Sequence, residues 1–272
     1  MPIPHWWVPG RRTGIARLLA ASLLILPLAA MARLDVAPTR LHIDDGERAA
    51  SLMVVNRAEE AKTFRVVVAD TEQFEEGGHE LLSEPGEGAH HAASMMRYSP
   101  RQATLEPGER QVVRFQARRP SDLEEGEYRA RVAVQTLPSV QQPTDPGEEE
   151  GVRIDIEVLF AVTLPLAITH GDPRVETAIG EVRKDEEGLV VDIQREGERS
   201  AYGQLAIHAV EDGEPGERIA LRNRAVVVVP LDRRIFRFPD VDVESGEQVH
   251  VVYEGLEDRG GGTKAARTVT VR

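Results

Sequence analysis

Short β-branched runs, turn signals between them and almost no helical periodicity predict an all-β protein of two tandem immunoglobulin-like β-sandwich domains. In the first half the runs are Leu34–Ala37 with Arg40–Ile43, Ala50–Asn56, Thr63–Asp70, Arg97–Ser99, Gln111–Ala117, Tyr128–Thr136 and Arg153–Leu166. Turns fall at Asp44-Asp45-Gly46, Glu76-Gly77-Gly78, Glu106-Pro107-Gly108 and Glu124-Glu125-Gly126, each with a Gly or Pro whose backbone preferences favour reversal. About seven short strands at this spacing make one sandwich. The second half repeats the habit over Val175–Val182, Gly188–Arg195, Gln204–Val210, Ala225–Val229, Arg233–Phe238, Gln248–Tyr253 and Arg267–Val271. Between the halves, Ala167–Pro173 (AITHGDP) reads as a short linker, because Gly and Pro interrupt the strand pattern.

The first 32 residues stand outside this pattern. Arg11, Arg12 and Arg17 precede an apolar stretch, Leu18–Ala30, and Ala30-Met31-Ala32 has the small residues of a cleavage site. The expectation is a secretory signal peptide over 1–32, too short to span a bilayer, followed by domains at 33–168 and 169–272. The chain is then expected to be exported. The net charge is −13, and the leader holds three arginines and no acid, so the remainder carries −16. That argues against nucleic acid and anionic lipid as partners. The 272 residues contain no cysteine, so each exported domain must rely on a hydrophobic core, which roughly 100–130 residues can supply.

Arg153–Leu166 (RIDIEVLFAVTLPL) is unusual. Ile154, Ile156, Val158 and Phe160 alternate with Arg153, Asp155 and Glu157, and the stretch then becomes almost wholly apolar. Fourteen residues exceed the usual strand of about 5–6. It follows Pro138–Gly151, with three prolines, three consecutive glutamates and no large apolar anchor beyond Val140, a loop expected to be mobile in the free protein.

Catalytic signatures are missing from the sequence. It contains neither Gly-x-Ser-x-Gly nor His-Glu-x-x-His, and in Gly255–Lys264 (GLEDRGGGTK) the lysine does not follow a spaced glycine as a phosphate loop requires. Without cysteine only Asp, Glu and His could ligate a metal, and the one histidine cluster, His79 with His90 and His91, falls in a Gly/Glu-rich loop that reads as solvated. A binding protein with no cofactor, metal or catalytic residue is the expectation.

Leu34–Leu41 (LDVAPTRL), Asp44-Asp45-Gly46 and Ser51–Asn56 (SLMVVN) resemble the start of a periplasmic pilus- and fimbria-assembly chaperone of the PapD-like family. The similarity continues through Tyr98-Ser99-Pro100, Leu105–Arg114 (LEPGERQVVR) and Glu125–Arg129 (EGEYR). In the second domain it takes in Arg195–Gly203 (REGERSAYG) and Asn223–Arg234 (NRAVVVVPLDRR), with the non-archetypal branches the better match. The resemblance implies donor-strand complementation: pilus subunits lack their final strand, and the chaperone lends one by β-augmentation. It would place Ile154, Ile156, Val158 and Phe160 in the subunit, and Val162 and Leu164 in the chaperone's own core. It also implies that Arg40 lies in the cleft between the domains and, with a lysine late on the donor strand, binds the subunit's C-terminal carboxylate, a task suited to a guanidinium. Here Phe160–Leu164 carries no lysine or arginine, so backbone amides or another arginine must serve, Arg114 being a candidate by strand position. The location implied is the periplasm, and the partners are pilus subunits and an outer-membrane usher, with self-association through the exposed strand when free.

Two other classes fit the sequence less well. A pilus subunit or adhesin would carry an alternating N-terminal extension, whereas the first strand here begins at Leu34, next to the predicted cleavage site. A carbohydrate-binding sandwich usually exposes aromatics, yet both tryptophans, Trp6 and Trp7, lie in the leader.

Overall fold

The structure, a computed structural model, describes residues 34–86, 89–138, 159–256 and 264–272. The first sandwich contains β1 (Leu34–Ala37), β2 (Leu41–Ile43), β3 (Ala49–Asn56), β4 (Lys62–Ala69), β5 (Thr71–Gln73), β6 (His79–Leu81), β7 (Met96–Ser99), β8 (Gln102–Leu105), β9 (Arg110–Ala117), β10 (Gly126–Thr136) and β11 (Ala161–His170). The second contains β12 (Val175–Asp185), β13 (Gly188–Gly197), β14 (Ala201–Glu211), β15 (Glu214–Val227), β16 (Arg233–Phe238), β17 (Gln248–Gly255) and β18 (Lys264–Thr270). Two sheets, ordered β1-β3-β9-β7 and β2-β11-β10-β4-β8, close over one core; β12-β13-β16 and β15-β14-β17-β18 close over another. This is the two-domain immunoglobulin-like architecture.

Period-two patterning builds both cores. In β9 the residues Val113, Phe115 and Ala117 point inward while Arg110, Val112, Arg114 and Gln116 stay outside. Leu52, Phe64, Phe115 and Leu166 are fully buried in the first core, and Leu189, Leu205 and Tyr253 in the second. The Tyr128 hydroxyl donates to the Glu124 carbonyl four residues upstream at 2.8 Å, the tyrosine-corner bond of immunoglobulin-like sandwiches.

The expected linker needs correction. Ala167–His170 belong to β11, where Ala167 and Ile168 are buried and pair with β2 as well as β10. The polarity of Thr169 and His170 concealed this: they end the strand rather than break it. The β5–β6 hairpin and β8 were not expected, and β15 begins eleven residues before the predicted Ala225.

Strand β10 joins the two sandwiches. Tyr128, Ala130, Val132 and Val134 face the first core, so Glu127, Arg129 and Arg131 take the other face. Glu127 is buried; its carboxylate accepts hydrogen bonds from Arg129 at 2.6 Å, the Ser200 hydroxyl at 2.7 Å and the Ser200 amide at 3.2 Å. Arg129 also donates to the Tyr202 hydroxyl at 2.6 Å, and the Ser200 hydroxyl accepts from the Val229 amide at 3.1 Å. Burial alone pushes the Glu127 carboxyl up, but the Arg129 charge and the Ser200 and Arg129 hydrogen bonds outweigh it and hold it below the usual range. Burial likewise opposes the Arg129 charge, and Tyr202 and Glu127 hold that group above its ordinary range. A second tie is the tip of the β5–β6 hairpin. The Glu75 carbonyl accepts from the Ile235 amide at 2.8 Å, and the Glu75 carboxylate pairs with Arg233 at 2.7 Å.

Removing one member of a buried pair strands the other. Glu127→Ala is expected to cost about 3–5 kcal/mol in urea unfolding, because Arg129 stays buried without its carboxylate. The folded carboxyl titrates below its unfolded value, so its contribution is complete above the ordinary carboxylate range and is lost as pH falls through the folded value. Urea midpoints followed from about pH 7 to about pH 3 should fall more steeply for the unaltered chain than for Glu127→Gln.

Candidate functional site

Between the sandwiches lies a cavity of about 210 Å³. Its lining holds four arginines (Arg40, Arg129, Arg131 and Arg234), two histidines (His42 and His79) and no acidic residue. Different elements deliver them. Arg40 ends the bend at 38–40, where the chain leaves β1 in one sheet for β2 in the other. Arg131 follows Arg129 by two residues on the same face of β10, and His79 opens β6. Arg234 comes from β16 of the second sandwich: its Nη1 donates to the Val226 carbonyl at 2.8 Å, and its guanidinium lies 5.2 Å from the Phe236 ring centroid.

Charge in this cavity is lopsided. Arg129 has its own carboxylate in Glu127. Arg131 makes no hydrogen bond or ion pair among the described residues, and burial together with repulsion from Arg129 pushes it below its ordinary range. Burial and repulsion from Arg222 do the same to Arg234, whose Nε is buried without a hydrogen-bond partner. Burial and the Arg131 charge lower His79. Partly desolvated cations that depress one another are unfavourable in the free protein and become favourable when an anion enters.

An open strand edge runs into this cavity. Strand β11 pairs along its whole length with β10, from Ala161 opposite Gln135 to His170 opposite Gly126. On its other side β2 covers only Leu166–Ile168, in parallel. The edge of Ala161–Pro165 is therefore unpaired among the described residues, and Pro165 itself lines the cavity. Leu164 is buried in the first core, Val162 is half-buried, and Leu159 is 50% exposed.

Of the residues singled out in the sequence, Arg40 lies in the cavity wall, half-buried. Phe160 sits just before β11, half-buried, its amide donating to Thr136 Oγ1 at 2.8 Å and its carbonyl accepting from the Thr136 amide at 2.8 Å. Ile154, Ile156 and Val158 fall outside the described residues. Arg114 needs correction as a cleft residue: it is exposed on the outer side of β9, in the sheet that does not contain β11. The three histidines of the suspected cluster occupy separate settings. His79 faces the cavity, His90 bridges the Glu127 carbonyl at 2.8 Å and the Glu198 carboxylate at 3.2 Å, and His91 lies 3.8 Å from Asp70. Arg131 and Arg234 went unnoticed in the sequence, although the alternation of β10 already put Arg131 on the face opposite the core.

No protein-family model matches the sequence, and no curated protein matches it. Solved structures do. The chain is similar to one from a chaperone–tip adhesin complex of CFA/I fimbriae biogenesis, at 10% identity over 88% of this chain and 99% of that one, with a TM-score of 0.54. It is similar to the class 5 fimbriae chaperone CfaA at 9% identity, 88% and 100% coverage and a TM-score of 0.52. A chain of the CsuC–CsuE chaperone–tip adhesion subunit complex from archaic Csu pili of Acinetobacter baumannii matches at 14% identity, 89% and 100% coverage and a TM-score of 0.50. At these identities the similarity is one of fold, extending across both sandwiches.

The charge imbalance has a measurable consequence in the free protein. Arg131→Gln, which removes one mutually repelling cation, is expected to stabilise the chain by roughly half a kilocalorie per mole after solvent screening. That corresponds to a Tm gain of about 1–2 °C in low salt. Scanning calorimetry at two salt concentrations checks it, and the gain should shrink as salt rises.

Proposed function

We propose that the chain is a periplasmic chaperone of pilus assembly, which binds subunits by donor-strand complementation and delivers them to an outer-membrane usher. The observation that carries this reading is the open edge of β11 ending at the arginine-lined cavity. Strand β2 is parallel to β11 and pairs Leu41–Ile43 with Leu166–Ile168. A peptide strand in line ahead of β2, on the same edge and in the same direction, would pair beside Ala161–Pro165. Its C-terminal carboxylate would then meet Arg40, the residue that precedes β2.

Side-chain parity supports the same reading. Leu164, Leu166 and Ile168 face the first core. Extended toward its N-terminus without a bulge, β11 would present Phe160, Val158, Ile156 and Ile154 on that same side, beyond the end of its own core. Those four side chains would fill the gap left by a subunit's missing strand. Each contributes about 1.5–3 kcal/mol before ordering costs. The acidic residues between them, Asp155 and Glu157, would stay in water. A binding role of this kind needs no catalytic residue or cofactor. Fold neighbours described as fimbrial chaperones, some in complex with a tip subunit, agree with it.

The pilus-subunit alternative fits less well. A subunit lacks the last strand of its sandwich, whereas β11 and β18 stand in place here in their respective sheets.

The test is co-expression with a pilus subunit in a bacterial periplasm. Ile156→Asp combined with Val158→Asp is expected to lower the recovered subunit at least about tenfold. Recovery equal to that with the unaltered chain would sink the proposal.

A further inference from the structure

We propose that the outer face of the second sandwich carries a site for a divalent transition-metal ion, held by the imidazoles of His208 and His250. Strands β14 and β17 are neighbours inside the sheet β15-β14-β17-β18, and their register sets His208 directly opposite His250. Ile207, Val249 and Val251 beside them are buried in the second core, so both histidines take the other face. Their ring centroids lie 6.4 Å apart, with the planes at 66°. With metal–nitrogen bonds of about 2.0–2.1 Å, two imidazoles on one ion place their centroids roughly 5–6.5 Å apart. The pair stands at the wide end of that range.

Hydrogen bonding sets each ring for the task. His208 Nδ1 lies 3.2 Å from the Gly216 carbonyl on β15, and His250 Nδ1 lies 2.9 Å from Thr268 Oγ1 on β18. The two Nδ1 atoms are thus tied to strands on opposite flanks, which turns the Nε2 edges of the rings toward the space between them. A carbonyl only accepts, so Nδ1 of His208 carries the proton and Nε2 of the neutral ring keeps its lone pair. The Thr268 hydroxyl can accept from His250 in the same sense. Ligating histidines commonly have their other nitrogen held by such an acceptor. Neither Nε2 has a hydrogen-bond or ion-pair partner among the described residues. Imidazole suits Zn²⁺, Cu²⁺ or Ni²⁺, whereas Mg²⁺ and Ca²⁺ prefer oxygen. Among the described residues no group of three or more His, Asp or Glu forms a metal cluster, so water fills the remaining positions. Arg218, opposite His208 on β15, adds a positive charge on that flank and favours the ions that bind imidazole most strongly.

The probe is Zn²⁺, which has no redox chemistry, titrated into the whole exported chain by calorimetry while the histidine ring resonances are followed. Mg²⁺ is the control ion. Zn²⁺ should shift His208 and His250 together along one binding curve, and Mg²⁺ should shift neither. His208→Gln and His250→Gln, each checked for an intact fold by its metal-free Tm, should each weaken Zn²⁺ binding at least about tenfold. Zn²⁺ should also raise the Tm of the unaltered chain more than that of either variant. Binding unchanged in both variants, or shifts at other histidines with His208 and His250 still, would overturn the site. A response from only one of the two rings, an equal response to Mg²⁺, or no uptake of Zn²⁺ would overturn it as well.

Discussion

Arg129 and Arg131 occupy one face of one strand, two residues apart, and only Arg129 has a carboxylate. That asymmetry organises the molecule. Glu127 neutralises Arg129 in a buried network with Ser200 and Tyr202, and this network holds the second sandwich against the first. A buried ion pair is a weak source of net stability, but its geometry is demanding, so it fixes the relation of the parts it joins. The cavity wall inherits that precision. Arg131, Arg234 and Arg40 line a cavity whose described lining contains no acidic residue.

The two sandwiches treat their edges in opposite ways. Strand β15, fourteen residues at the border of the second sandwich, carries Glu217, Arg218, Arg222 and Arg224, and charges of this kind discourage pairing with another chain. The open part of β11 is short, lacks charge over Phe160–Pro165, and leads into a cationic cavity. On the proposed function, backbone pairing there would supply affinity in any sequence context, and alternate side chains would supply fit.

The sequence made the fold legible wherever apolar residues alternate, as in β3, β9 and β10. It concealed elements in which side chains do not mark the strand. Strands β5 and β6 (TEQ and HEL) are three residues each, held by their turn and by the grip of Glu75 on β16 rather than by core burial. The part of β15 before Ala225 (EPGERIALRNR) contains Pro and Gly, which an edge tolerates and a central strand does not. Arg40 was legible from its motif. Arg131 and Arg234 were not, because what sets them apart is their shared place in the lining of one cavity, and that depends on a fold bringing together residues about a hundred positions apart.

On the proposed function, the segment entering β11 would leave this chain's core to complete another protein's. Site-specific photo-crosslinking in the periplasm, with the reactive group placed in turn at each position from 154 to 158 and the adducts identified by mass spectrometry, tests it most directly. Positions 154, 156 and 158 should capture one and the same sandwich protein lacking its last strand, and positions 155 and 157 should capture it far less. Capture independent of parity, or adducts confined to the chain itself, would contradict the account and make the segment an ordinary strand of its own domain.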